Sequence, residues 1–275
     1  MSSVPDLYAF VVRLHPAGDG PAPRPQGQGA QALFLDLVRQ VAPDLSAALH
    51  ADAPSKPYTV AVLPPRRRDL VELRVSLLSA DLFQPFVQAL LRQMPGEAPL
   101  RLGQAALRLG DVIGTPAPQG HPWAGYGSFA ELHARAAPAR AVALEFATAT
   151  AVGQGSRPDG RPRLAILPDP ALIFPSLAKR WNELAPPELR LDLDAVKAAA
   201  ADTLVSRYRA ESVEISLGKG PQKGFVGVAT YELPSDPAQA RMLGLLADAA
   251  LFLGVGVKTA RGMGLCRRLP EREPR

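Results

Sequence analysis

The chain is predicted to be an α+β protein made of two tandem βαββαβ units, and three observations predict it. Apolar residues recur alternately with a strand period of about 2 and a helix period of about 3.6. The same order of elements is spelled twice along the 275 residues. Between the two copies lies a turn-rich stretch, Gly114 to Gly127, with Pro116, Pro118 and Pro122. At about 100 to 200 residues per domain the length suits two domains, divided here as 1–127 and 128–275.

Each element follows from local pattern. Val4 to Leu14 is rich in β-formers and reads as a strand, and the Gly/Pro/Gln stretch Pro16 to Gly29 reads as a loop. Gln31 to His50 carries Leu33, Phe34, Leu37, Val38, Val41, Leu45 and Leu49 at helical spacing, with Pro43 placed to kink or split the helix. Pro57–Leu63 and Asp69–Leu78 read as a hairpin with Pro64-Pro65-Arg66-Arg67-Arg68 at its tip. Asp81–Met94 is helical, and Ala98–Ile113 holds one or two strands broken at Gly103. After a short helix at Ser128–Arg135 the order recurs. Ala139–Thr150 is a strand, helices lie between Ala171 and Tyr208, and Ser212–Leu217 and Gly224–Leu233 are strands. A helix over Asp236–Phe252 and a last strand near Gly264–Leu269 complete it. This order is the ferredoxin-like split βαβ pattern, one antiparallel sheet with two helices on one face.

Composition narrows the function classes. With 47% apolar and 21% charged residues the chain is neither wholly disordered nor collagen-like. The best candidate for a membrane span, Leu243 to Val257, is short and contains Asp248. The first fourteen residues lack the basic flank and apolar run of an export signal, and the single cysteine, Cys266, permits neither an internal disulfide nor a cysteine zinc site. The expectation is a cytoplasmic protein. Net charge is +5, and Val255 to Arg275 alone holds six basic residues against two acidic ones, the footprint of a phosphate-bearing partner such as nucleic acid or a solvated tail.

Two segments carry candidate chemistry. Gly254-Val-Gly256-Val-Lys258-Thr-Ala-Arg261-Gly262-Met-Gly264 is a glycine-rich loop that leaves a helix C-terminus. The dipole there repels anions, so phosphate binding has to come from backbone N–H groups of a nest and from Lys258 and Arg261. A simple Gly cap is the bland alternative. The second segment, His50-Ala-Asp-Ala-Pro-Ser-Lys56-Pro-Tyr58, ends the first helix with an imidazole that changes charge near neutrality and an ammonium able to stabilise a phosphorane. A histidine that caps helix carbonyls is its alternative. Arg66, Arg67 and Arg68 at the hairpin tip, and Arg157, Arg161 and Arg163 in a Gly/Pro loop, are candidate phosphate contacts. His15, His121 and His133 read as surface or packing residues, and Asp192 and Asp194 as a helix start. No metal-ligand spacing and no nucleophile motif is visible, so no metal or cofactor is expected.

These segments, together with Gly224-Phe-Val-Gly227 before Tyr231 and Ile173-Phe-Pro-Ser-Leu-Ala-Lys-Arg-Trp-Asn182, resemble the CRISPR-associated endoribonuclease that matures guide RNA, a branch of the repeat-associated RNA-binding (RAMP) superfamily. The resemblance implies tandem ferredoxin-like domains that bind CRISPR repeat RNA and cut it once per repeat without metal. The products are then a 2′,3′-cyclic phosphate and a 5′-OH. It assigns proton transfer to His50 and phosphorane charge to Lys56. Where some members carry a tyrosine on the helix before the histidine this chain has Leu35, which leaves His50 open as base, acid or both, with Tyr58 as a substitute hydrogen-bonding group. The partners implied are repeat RNA and other subunits of a CRISPR effector complex, for a monomer or homodimer away from membranes. The alternative is a non-catalytic RNA-binding subunit of such a complex, which would use the glycine loop and not His50. A small-molecule enzyme with an enclosed pocket is a further one.

Overall fold

The computed structural model describes residues 5–18, 27–53, 55–93, 99–217 and 220–270. Strand β1 (Leu7–Pro16) is the spine of the first unit, buried at Leu7, Ala9, Val11, Val12 and Leu14. Helices α1 (Gly27–Arg39) and α2 (Pro43–His50) follow, and Pro43 begins the second helix and so splits the predicted one. The hairpin of β2 (Tyr58–Val62) and β3 (Val71–Leu77) is buried at every position. Then come α3 (Phe83–Arg92), β4 (Leu100–Leu102), β5 (Ala105–Ile113) and β6 (Gly125–Gly127). Sheet order is β2-β3-β1-β5-β4, with β6 joined to the start of β1. Phe34, Leu37, Phe86 and Ala89 from the helices pack on Val12, Leu14, Val60, Val75 and Leu77.

The second unit opens with α4 (Phe129–Arg135), whose Ser128 and Glu131 form a capping box. Strand β7 (Ala141–Thr150) leads through β8 (Val152–Ser156) and β9 (Pro162–Ala165) to α5 (Pro170–Leu184) and α6 (Leu193–Ala201). Strands β10 (Leu204–Ser216) and β11 (Pro221–Glu232), helix α7 (Pro237–Leu253) and β12 (Cys266–Arg268) complete a sheet of order β10-β11-β7-β12. In each sheet the first and third strands of the βαββαβ order lie at the centre, so both units are ferredoxin-like. Asp169, Asp192 and Asp236 accept from backbone N–H groups at the starts of α5, α6 and α7, which accounts for the Asp192 pattern.

Three expectations are corrected. Leu204 to Tyr208 is strand and not helix, because β10 begins right after α6 and pairs along its whole length with β11. The stretch with Arg157, Arg161 and Arg163 is the β8–β9 hairpin around Gly160 and not a plain loop. The loop before α1 yields to helix at Gly27, while its residues 19–26, Val4 and the acidic and basic residues beyond 270 lie outside the described residues.

The second face of the first sheet is not bare. Val11, Ala61 and Leu63 pack against Trp123, Ala124 and Leu265, the last from the second unit. Arg74, fully buried on β3, donates through Nε to Trp123 O (2.6 Å), through Nη1 to Ser76 Oγ (2.6 Å) and through Nη2 to Leu251 O on α7 (2.6 Å). Burial without a carboxylate pulls its pKa down to about 9.

Candidate functional site

Helix α2 is amphipathic and short, and its position is set by its neighbours. Ser46, buried, donates to Leu35 O (2.8 Å) and so pins α2 to α1. His50 is the last residue of α2 and is exposed. Lys56 folds back over that helix end, its Nζ donating to Leu49 O (2.9 Å) and to Ala51 O, the carbonyls on either side of His50. Orphan carbonyls at a helix C-terminus attract a cation. An ammonium has three N–H donors, so this arrangement leaves one for another acceptor.

Leu35 is buried on α1, a separate helix from α2, so a hydroxyl introduced there would not share a helix with His50. Tyr58 is buried too: its ring packs tilted against Phe34 with centroids 4.5 Å apart, and its hydroxyl accepts from Gln31 Nε2 (2.9 Å). Burial raises the Tyr58 pKa, opposed by the Gln31 bond and by the nearby Arg261 charge. Tyr58 is therefore a core residue of the first unit and not a free hydrogen-bonding group.

The glycine loop is a close-packed turn. Gly256 has φ 80°, and a Cβ there would overlap the carbonyl of Ala151; Gly264 has φ 69°, and a Cβ would overlap the carbonyl of Val255. The N–H groups of Gly254, Gly256 and Gly264 donate to Ala250 O, Ser176 Oγ (3.1 Å) and Ala149 O (2.9 Å). These three amides are spent inside the fold, which corrects the backbone-cradle expectation for Gly254, Gly256 and Gly264. Gly262 is likewise buried.

What the loop presents outward is side-chain charge. Lys258 is the described non-glycine residue with positive φ (58°), and its Nζ donates to Gln222 Oε1 (2.6 Å). Partial burial and the neighbouring Arg261 lower its pKa. Lys258 and Arg261 are both exposed, and among the described residues neither has a carboxylate within ion-pair distance. Ala260, between them, is buried in the core of the first unit, so this loop of the second unit docks onto the first.

Helix α5 connects these two places. Ser176 accepts the Gly256 N–H. One helical turn on, Arg180 reaches into the first unit, donating from Nη2 to Lys56 O (3.1 Å) and Tyr58 O (3.3 Å) and from Nη1 toward Ser55 Oγ (3.5 Å). Sequence reasoning passed over Arg180, whose only signal was its place in the Arg180-Trp181-Asn182 triplet. Trp181 and Asn182 fix the turn after α5, through Leu189 O (2.8 Å) and through Leu191 O (2.7 Å) and N (2.8 Å).

The other predicted contacts are elsewhere. Arg66, Arg67 and Arg68 are exposed at the far end of β2–β3 from Tyr58, and Arg67 pairs with Asp69 (2.5 Å). His121 is buried beside Glu72 (3.7 Å), and burial lowers its pKa although the Glu72 charge opposes this. An open groove crosses the uncovered face of the second sheet, lined by Arg140, Arg207, Arg209, Val226 and Val228. Among the described residues no group of three His, Cys, Asp or Glu side chains is placed to hold a metal ion, and no helix is long and apolar enough to cross a membrane.

Residues 125–266 match the family model for the CRISPR-associated endoribonuclease Cas6. Among curated proteins, the CRISPR-associated endoribonuclease Cas6 of Mycobacterium tuberculosis is 28% identical over 131 residues, covering 48% of this chain and 40% of that protein. The match thus spans less than half the length of the curated relative. Among solved structures, the Cas6 (TTHB231) product complex superposes with TM-score 0.83 at 36% identity, over 96% of this chain and 99% of that one. Thermus thermophilus Cas6 (TTHB231) superposes with TM-score 0.75 at 32% identity, over 98% and 100%. A protein described as "An RAMP protein binding different RNA substrates" shares the fold, with TM-score 0.62 at 13% identity over 96% and 100%.

Proposed function

The chain belongs to the CRISPR-associated endoribonuclease Cas6 family, and from that premise we propose that it cuts CRISPR repeat RNA into guide RNA by metal-independent transesterification. The observation that carries the reading is that one helix, α5, touches both the loop that presents Lys258 and Arg261 and the segment that holds Lys56 beside His50. Anion grip and proton-transfer group are thereby set at a fixed separation, as positional cleavage of a polyanion requires. We divide the chain into units 1–127 and 128–275 on the same reading.

In the proposed reaction the RNA 2′-OH attacks the adjacent phosphorus, and the bond to the 5′-oxygen of the next nucleotide breaks. The 2′-oxygen loses its proton as it attacks, and the leaving oxygen gains one. His50, exposed at a helix end, is the group for proton transfer. The third N–H of Lys56 faces the charge that builds on the non-bridging oxygens. Lys258 and Arg261 hold backbone phosphates, which positions the strand without reading its bases. The product carrying the cyclic phosphate has no remaining 2′-OH at the cut, so the step ends there.

The test is cleavage of a synthetic transcript of one CRISPR repeat from the source genome, in EDTA, by the wild type and by His50→Ala, with analysis of the 3′ end. The expected result is a cyclic phosphate product and a slowing of about 10²-fold or more in the variant, the scale of a lost general acid or base. Binding without cutting by the wild type would favour the non-catalytic subunit, and no binding would overturn the RNA reading altogether.

A further inference from the structure

Arg180 sits on the second unit yet makes its hydrogen bonds to the first. Arg180 is half-buried, with its Nε fully shielded from solvent, and desolvation pulls its pKa down to about 10, opposed by the Glu183 charge. Among the described residues no carboxylate lies within ion-pair distance of it, and its Nε is buried without a hydrogen-bond partner. Desolvating a charge on these terms is costly, and folding alone offers cheaper ways to fill the space, a leucine or methionine among them. The bonds it does make all fall on one short segment: Ser55 Oγ, Lys56 O and Tyr58 O.

Tyr58 is already held by its pairing with Leu77 and by the core, so Arg180 adds most at Ser55 and Lys56. Lys56 is anchored at its head by the end of α2, and Arg180 anchors its backbone, so the residue is fixed from both sides. Four residues before Arg180, on the same face of α5, Ser176 accepts the Gly256 N–H of the glycine loop. Two positions four residues apart, about 6 Å along the axis, thus tie down both loops.

Resting on the nuclease reading above, we propose that Arg180 is a positioning residue for cleavage: it acts through Lys56 and sets that ammonium and the adjacent His50 against the phosphate gripped by the glycine loop. Arg180 touches no substrate. Removing it leaves the outward cations Lys258 and Arg261 in place but loosens Lys56, so RNA is held as before and cut slowly. This separates it from the cations of the loop, whose removal weakens binding.

The experiment compares the wild type with Arg180→Ala, Arg180→Gln and Arg180→Lys, using the repeat transcript above. Single-turnover rate constants at saturating enzyme and equilibrium Kd are measured for each. The expected result for Ala and Gln is a Kd within about twofold of wild type and a rate constant reduced about tenfold or more, since slight misplacement is costly in a positioned reaction. Lys, which keeps the charge and N–H donors but on a single ammonium without the planar fork, recovers part of the rate. Amide exchange at Lys56 and Tyr58 supplies a readout that needs no cutting, and it speeds up in Ala and Gln. Equal rates and equal exchange in all four proteins overturn the proposal. So does a parallel fall of rate and affinity, or failure of both Ala and Gln to fold, either of which makes Arg180 a general structural residue. A wild type that does not cut defeats the nuclease reading instead, and unchanged exchange at Lys56 and Tyr58 would then defeat the clamp as well.

Discussion

Replacing Lys258 and Arg261 together by alanine tests the anion grip most directly. Both side chains are exposed, and among the described residues neither is neutralised by a carboxylate; the Lys258 ammonium gives one of its three N–H donors to Gln222. A contact that neutralises one phosphate contributes about 0.9 to the slope of log affinity against log salt on a duplex and about 0.7 on a single strand. Two lost contacts therefore flatten the slope by about 1.4 to 1.8. At roughly 0.15 M salt the same contacts are worth about 2 kcal/mol at most, so Kd rises roughly 15- to 30-fold. The assay is fluorescence anisotropy of a labelled repeat transcript titrated at several salt concentrations, with thermal melts to show that both proteins are folded. Neither cation carries the loop's packing, which rests on its glycines and on Val255, so the melts coincide. A slope unchanged in the double variant would refute the argument, because exposed cations that contact phosphate cannot leave the counterion term untouched.

Two further outcomes follow from the same geometry. Gly256→Ala places a Cβ against the Ala151 carbonyl at φ 80°, and about 3 kcal/mol or more of destabilisation is expected, read as a melting temperature lower by roughly 6 to 12 °C; a melt matching wild type would show that the loop packs differently. His121 is held neutral by burial, so its folded pKa lies below the unfolded value of about 6.5. Above neutrality both states are unprotonated there, and as pH falls through that value the unfolded chain takes up the proton first and stability declines. Urea midpoints of wild type and His121→Asn measured from about pH 7.5 to 5.5 should diverge on the acid side, and parallel curves would contradict the assignment.

Much of the architecture was legible because its elements are half-buried. The Leu33–Phe34–Leu37–Val38 face of α1 and the fully buried β2–β3 hairpin leave periods that survive without any tertiary context. Leu204 to Tyr208 was misread for the converse reason. These residues are exposed on an edge strand, so nothing forces an apolar alternation, and they follow directly on the alanine-rich helix α6. The β8–β9 hairpin was hidden by glycines and prolines that usually mark irregular chain. In the site, His50 and Lys56 are close in sequence, and the fold of Lys56 back over the end of α2 is local. The link from Arg180 spans 124 residues to Lys56, and no local pattern announces which carbonyl an arginine will reach. Gly254, Gly256 and Gly264 carry a phosphate-cradle spacing but turn their amides inward, since spacing alone does not say which N–H groups a loop will need for itself.

The contact of Val11, Ala61 and Leu63 with Trp123 and Leu265, reinforced by Arg74, bears on how such a molecule meets a flexible ligand. A hydrophobic seam and a desolvated guanidinium pack the two units against each other there. The angle between the two units belongs to the core and not to a tether. On the proposed reading the burden of adaptation passes to the RNA: a repeat whose own folding presents its phosphates at the right spacing is accepted, and one that would require the protein to bend is refused by shape.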